Sequence, residues 1–184
     1  LLIKESVPKY VKEETLDNIR LGKDYILLPS DRDGFMQLYL YSGTGTLKRK
    51  IGDGKFDITN VYGVDEKTGD VYYQATALNA HDRQIYVSHT NGKVERLTNQ
   101  EGWNTAIFSG DYQYFVNTWS DYNTPYVYTT RKNDGKIIAT NVDNHELKAK
   151  TQQYGWSKRE AFSFTTSEGI KLDGWIVKPA QFNA

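Results

Sequence analysis

Serine, histidine and paired carboxylates are the side chains here that could do covalent or acid–base work, so their spacing comes first. Gly155-Trp156-Ser157 is the first half of a Gly-x-Ser-x-Gly turn, in which a glycine on each side lets a sharp bend present the hydroxyl as a nucleophile. Lys158 and Arg159 follow. A long charged side chain therefore stands where the closing glycine belongs, and Ser157 reads as a linker residue. His81, His89 and His145 are the three histidines, and no two are three or four apart, the spacing of a local metal pair. They read as surface loop and strand residues. Asp31-Arg32-Asp33-Gly34 starts like a calcium loop, but its twelfth position is Ser42 rather than a closing glutamate, so a turn is expected. Gly43-Thr44-Gly45-Thr46 and Gly52-Asp53-Gly54-Lys55 lack the spacing and the Lys-Ser/Thr ending of a phosphate loop and read as turns too. Asp65-Glu66 has no neighbour that would split its two pKa values and reads as a solvated turn; Lys158, Arg159 and Glu160 read as a solvated face. Trp103, Trp119, Trp156 and Trp175 could line a sugar or peptide groove, but strand tryptophans are more often core or blade-packing residues. No catalytic, substrate-binding or metal-ligating residue is assigned, and no cofactor is expected.

The elements that would carry these residues repeat. Asp24–Gly54 reads as strand, polar turn, strand, Gly/Thr turn, strand. The plan returns from Asp70 and again from Tyr112. Tyr25, Val71 and Tyr114 open the units; Tyr39, Tyr86 and Tyr128 sit mid-unit; Leu47, Val94 and Ile137 follow the second turn. A unit of about 40–50 residues holding several short strands has the length of a β-propeller blade. Such a sheet cannot cover its own faces and must stack on neighbours. Leu1–Lys4 reads as the last strand of an earlier blade, Pro8 and the charges after it as a surface connection, and Ile19–Leu28 as the first full strand region. Asp143–Lys150 reads as a short helix, capped by Asn144 or Asp143. After Gly155 the rhythm changes: AFSFTT and IKLDGWIV, joined by Ser167-Glu168-Gly169, form a hairpin outside the blade pattern.

Lys+Arg and Asp+Glu number 23 each in 184 residues. That balance speaks against nucleic acid, whose binders carry a basic excess, and no basic amphipathic segment argues for a membrane surface. Cysteine is absent, which removes disulfides, thiol catalysis and zinc–thiolate sites. No apolar run approaches the ~20 residues of a spanning helix, and LLIKESVPKY lacks the form of a signal peptide. Both ends read as cut from something longer.

Taken together, SDRDGFMQLYLY (Ser30–Tyr41), the run from Val61 to Ala75, and Lys158–Pro179 resemble the dipeptidyl-peptidase IV family of the prolyl-oligopeptidase superfamily. The first two resemble late propeller blades of that family. The last resembles the strands that open its α/β-hydrolase domain. Each motif is modest alone; their occurrence in order makes the likeness specific. The resemblance implies a parent enzyme that removes N-terminal dipeptides of Xaa-Pro type from peptides by a serine mechanism. Its propeller would cap the active site and restrict entry to short peptides. It implies that the triad, the oxyanion tyrosine and the glutamates gripping the substrate's amino terminus all lie outside this sequence, so this stretch alone would be inactive. A periplasmic or cell-surface location suits the family's peptide-scavenging role.

The expectation is an all-β chain: about three antiparallel β-propeller blades, an incomplete propeller over residues 1–155, then a linker and β-hairpin over 156–184 entering a hydrolase domain. Its partners would be the peptide substrate of the parent, the remaining blades and that hydrolase domain. Two outer sheets without neighbours would favour self-association through open edges. A different class stays open: a non-enzymatic propeller-like module binding protein or glycan through its loops. The hairpin discriminates, because such a module needs no entry into a hydrolase domain.

Overall fold

A computed structural model describes residues 1–6, 18–179 and 182; the connection expected at Pro8 lies outside them. Three four-stranded antiparallel sheets follow one another, each with its strands side by side in chain order. The first holds β1 (Arg20–Leu21), β2 (Tyr25–Ser30), β3 (Gln37–Ser42) and β4 (Leu47–Ile51). The second holds β5 (Ile58–Val64), β6 (Val71–Ala75), β7 (Gln84–Ser88) and β8 (Val94–Arg96), and the third β9 (Trp103–Phe108), β10 (Tyr114–Ser120), β11 (Val127–Lys132) and β12 (Ile137–Val142). After α1 (His145–Gln153), strands β13 (Arg159–Thr165) and β14 (Lys171–Val177) pair as a two-stranded hairpin. This is an incomplete propeller followed by a hairpin.

The sequence anchors fall at equivalent places. Tyr25, Val71 and Tyr114 are the first residues of the second strands, and Leu47, Val94 and Ile137 the first of the fourth; Tyr39, Tyr86 and Tyr128 lie in the third. The turns between third and fourth strands share one geometry. Gly45, Gly92 and Gly135 each have φ near +86°, and each donates its N–H three residues back, to Ser42, His89 and Lys132. Glycine takes that left-handed conformation without steric cost. A second reason applies at Gly45 and Gly135: a Cβ there would meet the carbonyl oxygens of Leu2 and Leu97 at 2.4 Å.

Some expectations need correction. Each unit has four strands rather than three, because the innermost strand lies before the anchor. Ile19–Leu28 is a hairpin, broken where Gly22 N–H bonds the Tyr25 carbonyl. Leu1–Lys4, expected as the last strand of an earlier blade, lies outside the three sheets, with Leu2 against Gly45 as Leu97 lies against Gly135. The helix starts at His145 with Asn144 left-handed and no side-chain cap from it; Asn144 instead donates to the Tyr126 carbonyl, while Asp143 accepts from the His145 N–H.

Two cores hold the sheets together. Leu27, Leu38, Leu40 and Ile51 of the first sheet pack on Ile58, Val61, Val64, Val71 and Tyr73 of the second. Tyr72, Ile85, Val87 and Leu97 then meet Ala106, Phe108, Tyr112 and Phe115 of the third. Alternation in the strands produces both: each sheet between neighbours buries residues on both faces, as β6 and β7 do throughout. The outer face of the first sheet is not open as expected. Leu28, Tyr39 and Tyr41 are buried there, with Ile3 and Ile19 packed against them. The outer face of the third sheet is open, and Ile107 is 77 % exposed.

Buried glutamines staple the connections. Gln37 and Gln84 occupy the same position in β3 and β7 and are fully buried. Gln37 Nε2 donates to the Phe56 carbonyl and Gln84 Nε2 to that of Gln100, so each holds the link to the next sheet. Buried polar groups are tolerated when bonded in this way.

Candidate functional site

The connections from second to third strand, residues 31–36, 76–83 and 121–126, lie at one end of their sheets, because strand direction alternates identically in all three. That end carries exposed Phe35, Leu78 and Tyr122. The hairpin is set against it.

Asn123 makes the junction. Its Oδ1 accepts the Arg159 N–H at 2.9 Å, and its Nδ2 donates to the Arg159 carbonyl at 3.0 Å. The side-chain amide thus pairs with a main-chain residue in both directions, as a neighbouring β-strand would. The loop is itself ordered, since Asp121 Oδ1 accepts the Asn123 N–H at 2.7 Å. Arg159 then starts β13 and lays its guanidinium over the Trp175 ring, 5.2 Å from the centroid. Nearby, His81 Nδ1 lies 3.9 Å from Asp173 and its ring 6.4 Å from that of Tyr122.

A cleft of about 400 Å³ lies between these loops and the hairpin, lined by His81, Tyr122, Ser163, Asp173 and Trp175 among others. It gathers a serine, a histidine and an aspartate, but not as a triad. The His81–Asp173 separation exceeds a hydrogen bond, both side chains are near half exposed, and Ser163 is on an exposed strand. A second cleft of about 550 Å³ runs along α1, between Tyr126, Tyr128, Trp156 and the start of β13.

The hairpin has two unlike faces. Register places Phe162, Phe164, Leu172 and Ile176 together, with Ala161, Ser163, Asp173 and Trp175 on the other side. The second group lines the cleft toward the blades, which Phe162 and Gly174 also border. The first group is apolar and exposed, with Glu160 beside Ile176 on its face.

A charged cluster occupies the Asp31–Gly34 turn, where only a turn was expected. Arg32 pairs with Glu5, bonds Ser30 Oγ and Tyr41 Oη, and lies 4.1 Å from the centroid of Tyr39. Asp33 accepts from Lys50 at 2.5 Å and from Tyr39 Oη at 2.7 Å, and these bonds hold its carboxyl below the usual range. Burial, then the bond to Asp33, pushes the Tyr39 phenol up. The cluster ties residues 1–6 to the first sheet.

The weighed residues scatter. His89 bonds Asp70 at 2.9 Å and His145 bonds Asp143 at 2.7 Å, and neither shares the Asp173 that faces His81. No group of three or more metal-ligating side chains forms among the described residues. Ser157 lies half-buried between α1 and β13. Asp65 is buried rather than solvated, its Oδ1 accepting the Lys67 N–H. The tryptophans are not core residues: Trp103, Trp156 and Trp175 are about half exposed or more, and Trp119 donates its indole N–H to the Glu101 carbonyl at 2.7 Å. Glu160 pairs with Lys178 at 2.5 Å on the hairpin surface. Sequence reasoning missed Asn123, Glu5 and Arg32; an Asp-x-Asn turn before Pro125 was the one local sign of a structured loop.

Comparison with known proteins adds to this geometry. Residues 1–126 match the family described as the dipeptidyl peptidase IV N-terminal region. Dipeptidyl peptidase 4 of Trichophyton equinum is 28 % identical over 167 residues, covering 88 % of this chain and 21 % of that protein. The Trichophyton rubrum enzyme of the same name matches equally. The crystal structure of Porphyromonas gingivalis dipeptidyl peptidase 4 superposes with a TM-score of 0.90 at 31 % identity, over 96 % of this chain and 25 % of that one. The chain therefore spans about a fifth of the length of those fungal relatives.

Proposed function

The chain belongs to the dipeptidyl peptidase IV N-terminal region family, and from that premise we propose that it forms part of the propeller wall of a serine-type dipeptidyl peptidase. The whole enzyme would remove N-terminal dipeptides of Xaa-Pro type. The blades would shape access to its active site, and the catalytic groups would lie elsewhere in the polypeptide. The observation that carries this reading is the hairpin. It is latched to the loop end of the blades, and it turns an uncovered face of Phe162, Phe164, Leu172 and Ile176 outward. A two-stranded hairpin is marginal alone, and an apolar face of this kind belongs against another body. A hydrolase domain continuing from Pro179 would supply it.

The test is enzymatic. The full-length protein should release p-nitroaniline from an Xaa-Pro p-nitroanilide and lose that activity to a serine-directed phosphonate. The 184-residue chain should give no turnover. Activity in the short chain, or phosphonate-resistant activity in the long one, would refute the proposal.

A further inference from the structure

Resting on that reading, we infer that Asn123 is a positioning residue for the peptidase: the latch that fixes the angle between the propeller and whatever β13 and β14 lead into. Three observations support it. The paired bonds between the Asn123 amide and the two main-chain groups of Arg159, at 2.9 and 3.0 Å, are the one place where a side chain of the sheets bonds the hairpin backbone among the described residues. They act on the first residue of β13, where a small rotation is carried along the whole hairpin. The surrounding contacts are loose, with His81 and Asp173 at 3.9 Å and the cleft beside them open. They would let the hairpin swing if the amide were lost.

The chemistry explains the residue type. Only a side-chain amide offers a donor and an acceptor side by side, matching the N–H and C=O of one extended residue. Aspartate keeps the acceptor for the Arg159 N–H but loses the donor to its carbonyl. Alanine loses both. Asn123 is exposed, so neither change opens a cavity in the core. What changes is orientation, and misplacing groups by about 1 Å can cost a reaction on the order of 100-fold.

The experiment uses the full-length protein, as wild type, Asn123→Ala and Asn123→Asp. Kinetics on an Xaa-Pro p-nitroanilide are paired with spin-label distances between Lys136, in the turn before β12 of the third sheet, and Glu168 at the hairpin tip. Asn123→Ala should broaden the distance distribution and lower kcat/KM about 10- to 100-fold, mainly through KM, with thermal unfolding little changed. Asn123→Asp should fall between. An unchanged distance distribution with unchanged KM would overturn the latch. So would an equal loss of activity and thermal stability in both variants, which marks a merely structural role. If the wild type proves inactive while Asn123→Ala still broadens the distances, the latch stands and the peptidase reading falls.

Discussion

Arg49 stands on β4 and reaches out of its own sheet. It donates to Ser88 Oγ and to the carbonyls of Gly69, Ser88 and His89, in β7 and the turns beside it. Burial pulls its pKa down, with Asp70 opposing. In the sequence it sits inside Lys48-Arg49-Lys50, which looks like a solvated basic run. Nothing local says that the middle residue turns inward, because its acceptors lie 20 to 40 residues away. The corresponding Arg96 of the next unit is exposed, so the repeat does not reveal it either. Replacing Arg49 by Met keeps the alkyl stem and leaves four main-chain and hydroxyl acceptors without their donor. Bonds to a charged donor contribute about 1.5–3 kcal/mol, so urea unfolding should show a loss of roughly 2 kcal/mol. Lysine should recover only part, because one ammonium cannot span the fork of acceptors. An Arg49→Met variant as stable as wild type would mean that water replaces the guanidinium at no cost.

Between elements, the contact of the second and third sheets is aromatic. Tyr72 stacks on Tyr112 with centroids 5.0 Å apart, and Phe108 lies 4.7 Å from Tyr72. Tyr62 belongs to the seam too, its hydroxyl accepting the Ala106 N–H at 3.1 Å. Burial pushes Tyr62 and Tyr72 up to about 12 and raises Tyr112 as well. The sign follows from linkage: a phenol with a raised folded pKa stabilises fully below its unfolded value near 10, and that stability is lost as pH rises toward 12. Absorbance at 295 nm should therefore show late-titrating tyrosines that become ordinary once the chain unfolds. Tyr72→Phe should move the alkaline unfolding midpoint upward. Titration of every tyrosine near pH 10 with the fold intact would contradict the buried seam. The spacing of anchors and turn glycines made these sheets readable, since strand period and left-handed turns are local properties. The innermost strands were harder. Two-residue β1 carries no pattern, and the bulges in β5 break its alternation. The Asn123 junction was unreadable, because its partner lies 36 residues on and a side-chain amide leaves no periodic trace.

At the scale of the whole molecule, the two ends of the row of sheets differ. The first sheet has its outer face covered by Ile3 and Ile19 and clamped by Glu5 on Arg32. The third has no such cover among the described residues. Register puts Ile107, Val116 and Thr130 in one row of its outer face, with Thr118, Tyr128 and Val142 in the next. Ile107, Tyr114 and Val142 are exposed there. The apolar face of the hairpin, on Phe164 and Ile176, is the second uncovered surface. On the proposed reading the first would meet another blade and the second a hydrolase domain. Uncovered among the described residues, these faces should find each other on separate copies of the 184-residue chain. Sedimentation velocity on this chain at tens of micromolar, a range in which modest interfaces associate, should show dimers or larger species. Ile107→Lys should reduce them by placing a charge in the third sheet's row, and Phe164→Asp by doing the same on the hairpin. The double variant should be mostly monomeric, with its circular dichroism unchanged, because both residues point away from the two cores. A monomeric wild type would mean that the exposed apolar area is too small or too curved to associate. Association that survives both changes would place the sticky surface elsewhere, at the free edges of the outermost strands β4, β8 and β12.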